Sequence, residues 1–257
     1  MFPVSRRVFF SIVAASVIFT APVNANAQWI GHEKIYEGPT DVNLGGRPVV
    51  ADIALHADMN AAAKGVRRVA LVTDVTPFVA DTERDLETWV AAHQERCGER
   101  WSAGKPIIDF PPGAISFALH IELAYYTCGL NGQGEPSQLT VEGGDVSVVL
   151  KPYVEGGKLQ TLLADFAITN RSGVSKYLPL EFVVRRVLEQ ELNKLNENRK
   201  FYRAPNPFND EGYGYESLTG MKDEDGRIVM TARFRSKGDA SEYGLLAERI
   251  GEEGLTQ

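Results

Sequence analysis

Cysteine is scarce in this chain. Its 257 residues carry two, Cys97 and Cys128, with no Cys-x-x-Cys pair and no Cys/His cluster, which leaves neither a dithiol redox motif nor a zinc-type ligand set. Histidine is nearly as sparse, with His32, His56, His93 and His120 the whole supply and no His-Glu-x-x-His run. There is no Gly-x-Ser-x-Gly elbow, so no hydrolytic nucleophile of that kind announces itself. A phosphate-cradling glycine loop is also missing, which disfavours a nucleotide-dependent dehydrogenase. Beyond residue 27 no apolar run is long enough to cross a bilayer as a helix, and no cysteine stands where a lipoprotein anchor would need one. Internal repeats and low-complexity tracts are absent as well.

What is present begins at the amino terminus. Ser5-Arg6-Arg7-Val8-Phe9-Phe10 leads into an apolar segment from Phe9 to Thr20, followed by Ala25-Asn26-Ala27. A basic start, an apolar stretch too short to span a membrane and a small-x-small site predict a cleavable export signal over 1–27, with the mature chain starting near Gln28. The paired arginines Arg6 and Arg7 resemble the bacterial twin-arginine signal, although Phe10 and Ser11 replace its usual Leu-Lys. The general secretory route is the alternative. Either implies contact with an export machinery and a periplasmic or secreted destination. There an oxidising environment favours a structural disulfide between Cys97 and Cys128.

Removing residues 1–27 takes away Arg6 and Arg7 and no acid, leaving 25 cationic against 34 acidic side chains and a formal charge of −9. Such a surface disfavours nucleic acid, and anionic lipid headgroups too.

Hydrophobic periodicity divides the rest. Residues 28–48 lack it and are expected to form an arm. Ile53, Leu55, Ala57 and Met59 alternate with polar residues, as do Val69, Leu71, Thr73 and Val75, predicting two strands. Helical spacing of Leu86, Trp89, Val90, His93 and Cys97 predicts an amphipathic helix over 82–97. Ile115, Phe117, Leu119, Ile121, Leu123 and Tyr125 share one face of a long strand. Gly143-Gly144 and Gly156-Gly157 are read as hairpin turns between strands 137–142, 145–154 and 158–169. A second helix is expected from Pro179 to about 199, with an apolar stripe through Leu180, Val183, Val184, Val187, Leu188, Leu192 and Leu195, and a Glu181–Arg185 pair on its wet side. An aromatic segment, 201–215, and a hairpin turning at Asp223-Glu224-Asp225-Gly226 follow. The tail 236–257 is expected to be loose, apart from a short helix near 240–250. The fold class is α+β: a long antiparallel meander sheet with two amphipathic helices on one face, a single domain over 49–235.

Three sites compete. His56 with Asp58, and His120 with Glu122, each place an imidazole and a carboxylate on one strand face; if their strands were neighbours, four metal ligands would converge, the reading under which the protein is an exported hydrolase or metalloenzyme. The segment Phe201 to Tyr215 mixes aromatic rings with amides and carboxylates, suited to stacking on a sugar or peptide and hence to an envelope interaction or assembly protein. Around Cys97, Arg96, Arg100 and Trp101 read as surface charge pairs beside the disulfide.

The third comes from a resemblance. The order of strand pair, helix, long hairpin-joined strands and amphipathic helix over residues 50–200 resembles the tubular lipid-binding modules, in which a curved antiparallel sheet wraps a helix. The resemblance implies an elongated apolar cavity between sheet and helix, lined here by Phe117, Leu119, Phe166, Val184 and Leu188. It further implies a soluble, non-catalytic carrier of a hydrophobic or amphipathic ligand, without a cofactor.

Overall fold

Alternation of apolar and polar residues at a period of two builds most of this protein, and the strands it produces form two sheets. The computed structural model describes residues 31–44, 47–111, 113–129, 134–177 and 180–256. The export signal with Arg6 and Arg7, and Pro179, lie outside the described residues.

The first sheet has six strands. They are β1 (His32–Leu44), β2 (Arg47–Asp58), β3 (Val66–Asp74), β9 (Gly214–Lys222), β10 (Ile228–Lys237) and β11 (Leu255–Thr256), in the order β11-β1-β2-β3-β10-β9. All neighbours are antiparallel except β1 with β11. The second sheet contains β4 (Glu99–Ala103), β6 (Ile115–Thr127), β7 (Ser137–Glu155) and β8 (Lys158–Thr169) in that order, with the short β5 (Ile107–Asp109) also on β6. Helices α1 (Met59–Ala62), α2 (Thr76–Ala92), α3 (Leu180–Glu197), α4 (Arg199–Tyr202) and α5 (Tyr243–Glu253) complete the order.

Two expected boundaries of the domain move. Residues 32–44, read as part of an arm, form β1 and pair along their length with β2. The tail beyond 236 is not loose: α5 and β11 bury Tyr243, Leu246, Ile250 and Leu255 against Leu55, Leu71 and Phe234. The 243, 246, 250 spacing is the inward stripe of a helix, and the polar residues between face water.

The Gly143-Gly144 pair is not a turn. It lies inside the unbroken strand β7, opposite Glu122 and Ile121 of β6. A Cβ on Gly143 would meet Ile121 O and Glu122 Cγ at 3.0 Å, and one on Gly144 would meet Ile168 Cγ2 and Thr169 O at 3.1 Å. These glycines permit close approach of flanking chains rather than a reversal. Gly156-Gly157 is the hairpin turn expected, with φ of 59° and 77°.

Helix α2 begins six residues earlier than expected. Thr76 N–H is held by Asp74 Oδ1 at 2.8 Å, and Pro77 occupies the first turn, where its missing donor costs nothing. The two long helices lie on one face of the second sheet. Leu86 of α2 joins Phe117 and Leu119, while Leu192 and Leu195 of α3 join Leu150. A third cluster, with Ile115 and Leu159 from one sheet and Leu218, Ile228 and Met230 from the other, joins the two sheets into one core.

Candidate functional site

The two His-carboxylate pairs do not converge. His56 and Asp58 stand on β2 of the six-stranded sheet, His120 and Glu122 on β6 of the other. Asp58 is committed elsewhere, its Oδ1 accepting the Ala61 N–H at 2.9 Å to cap α1. Burial, then Lys34 and His32, holds the His56 imidazolium below its ordinary value. His120 instead meets Asp145 of β7, Nδ1 to Oδ1 at 2.6 Å, with Glu122 Oε1 3.5 Å from Nε2. Asn170 Nδ2 donates to the other oxygen of Asp145 at 2.5 Å. Hydrogen bonding to Asp145 and then to Glu122 raises the His120 pKa. This group sits on the outer, solvated face. Among the described residues no three His, Cys, Asp or Glu side chains are arranged to hold a metal ion.

The aromatic segment 201–215 is built inward. Phe208 is fully buried, stacked on Phe234 at 4.3 Å and edge-on to Tyr213 at 5.9 Å, while Tyr215 lies 4.9 Å from Phe234. Phe201 packs beside Leu150. Phe208 and Tyr213 are core, Phe201 and Tyr215 pack half-buried against the clusters, and the half-buried Tyr202 ring lies 4.9 Å from Lys158 Nζ, so most of the expected stacking platform for a sugar or peptide is turned inward.

The disulfide Cys97–Cys128 is formed, with Cα atoms 5.5 Å apart. The arginines beside it serve main-chain carbonyls rather than the expected charge pairs. Arg100 Nε donates to Glu95 O at 2.8 Å and Nη2 to Arg96 O at 2.9 Å, its guanidinium lying 3.9 Å from the Tyr126 ring centre.

The remaining candidate is the covered face of the second sheet. Strand pairing places Phe117, Val148 and Phe166 in one row across β6, β7 and β8, and Leu119, Val146 and Ile168 in the next. Val148 belongs to both the cluster under α2 and the cluster under α3, so the two helices share a floor at this residue. They pack on opposite margins of the face and, among the described residues, touch each other little. Of the residues expected to line a ligand, Phe117, Leu119, Phe166 and Leu188 are buried and Val184 is half-buried. Val146, Ile168 and Ile121, whose alternation marks them as core-facing, remain half-buried at the end of the face nearest the start of α3.

The apolar arc of α3 is wider than its packed stripe. Leu188, Leu192 and Leu195 point inward, but Val183 is 53% and Val187 47% exposed. At about 100° per residue, these two valines share one flank. Arg185 and Asn196 occupy the opposite flank and reach the β8 edge: Arg185 Nη2 donates to Phe166 O at 3.4 Å and lies 3.5 Å from Asp165, and Asn196 bonds the Thr161 backbone. Val187 therefore stands on the flank of α3 away from the β8 edge, and Val183 lies further round, towards solvent. The expected Glu181–Arg185 pair gives way to sheet contacts, with Glu181 Oε1 accepting the Ile168 N–H at 3.0 Å.

At the far margin Trp89 of α2 stacks on His93 at 4.3 Å and meets the edge of Trp101 at 5.3 Å. No helix among the described residues is long and apolar enough to cross a membrane.

No protein-family model matches the sequence, and no curated protein matches it. Among solved structures, a crystal structure of a lipopolysaccharide binding protein superimposes with a TM-score of 0.35 at 13% identity, covering 82% of this chain and 41% of that one. The chain thus spans about two fifths of that protein's length. So loose an overlap carries no functional argument, and the reading of the site rests on its own residues.

Proposed function

We propose that this protein is an exported, non-catalytic component of the cell envelope that binds a hydrophobic or amphipathic ligand along the strip between α2 and α3. One observation carries the reading: on the sheet face between the two helices the apolar row Val146 and Ile168 is only half-buried, and Val187, on the flank of α3 away from the β8 edge, is 47% exposed. Apolar surface left partly uncovered on both sheet and helix is what an extended acyl chain would complete. Covering about 200 Å² of it contributes roughly 5 kcal/mol before ordering costs are subtracted. Phe117, Leu119, Phe166 and Leu188 form the rigid floor in this reading, and Val184 its border.

The basic and apolar start of the chain, together with the Cys97–Cys128 bond, supports export to an oxidising compartment such as the periplasm. The alternative of an assembly protein working through 201–215 has less support, because Phe208 and Tyr213 are buried and the other three rings of the segment are half-buried.

Titration with a fluorescent fatty acid tests the reading. The exported protein is expected to bind it saturably, and Val187→Asp or Ile168→Asp to weaken binding at least ten-fold. Absence of binding by the native protein would refute the proposal.

A further inference from the structure

We draw no further inference here: the strongest candidate, the side-chain cluster of Glu99, Tyr125 and Glu142 that strand pairing places on the covered face of the second sheet beyond Ile121, is an acidic cluster that nothing among the described residues connects to a ligand.

Discussion

Asn196 and Thr161 are joined by two hydrogen bonds: the Thr161 N–H donates to Asn196 Oδ1 at 2.9 Å, and Asn196 Nδ2 donates to Thr161 O at 2.7 Å. The amide of a helix residue takes the place of a missing strand on the edge of β8. Glu181 and Arg185 do the same further along, at Ile168 N and Phe166 O. Helix α3 is therefore fixed to the sheet edge by polar contacts on one flank, and its other flank is free to overlook the sheet. Covering an edge in this way also denies it to other strands. Asn196→Ala leaves both backbone groups of the buried Thr161 unpaired and is expected to cost about 2–3 kcal/mol, measured as a lower urea midpoint at unchanged slope.

The disulfide closes a loop with a sequence separation of 31. Loop-closure entropy assigns it about 3–4 kcal/mol. Cys97→Ser with Cys128→Ser should lose that amount in chemical unfolding. Thiol titration of the native protein in denaturant should find no free thiol.

The outer-face His120 gives a pH signature. Its pKa is raised, chiefly by Asp145, so its contribution to stability is present below about 6.5, the ordinary histidine value, and is lost as pH rises through the higher folded value. Asp145 is lowered, chiefly by Asn170 and next by His120, so its contribution is present above the ordinary aspartate value and is lost as pH falls through the lower folded one. An NMR titration should place the His120 midpoint above 6.5, and Asp145→Asn should bring it down.

Arg67, its side chain only 7% exposed, ties three segments together. Its Nε donates to Lys237 O at 3.1 Å, its Nη2 to Glu211 O at 3.3 Å, it pairs with Glu242, and its guanidinium lies 5.1 Å from the Tyr213 ring centre. Arg67→Ala should destabilise by about 3 kcal/mol in urea unfolding, and Arg67→Lys should recover less than half, because an ammonium cannot reach several carbonyls at once.

Much of this architecture is legible in the residues themselves. Ile115 to Tyr125 alternates cleanly and forms β6, and the Gly156-Gly157 turn, the α+β class and both long helices follow from local pattern. The misread parts have local physical reasons. β1 carries Gly38 and Pro39 in mid-strand, which hides its alternation. Gly143-Gly144 reads as a turn because a glycine pair serves reversal and close approach equally well, and only the neighbours Ile121 and Ile168 decide between them. The four metal candidates failed to meet because strand adjacency is a property of topology: nothing near His56 or His120 says that their strands belong to different sheets. On α3 the spacing marks Val183 and Val187 as apolar, but whether they are covered depends on how far α2 reaches across the sheet.

The strip between α2 and α3 is tested most directly by native mass spectrometry of the protein purified from the exporting cell, followed by organic extraction of the same sample. The account predicts a bound mass in the lipid range that the extract recovers and that Val187→Asp reduces. A bare polypeptide mass with an empty extract, from a protein that also fails to take up added fatty acid, would contradict it.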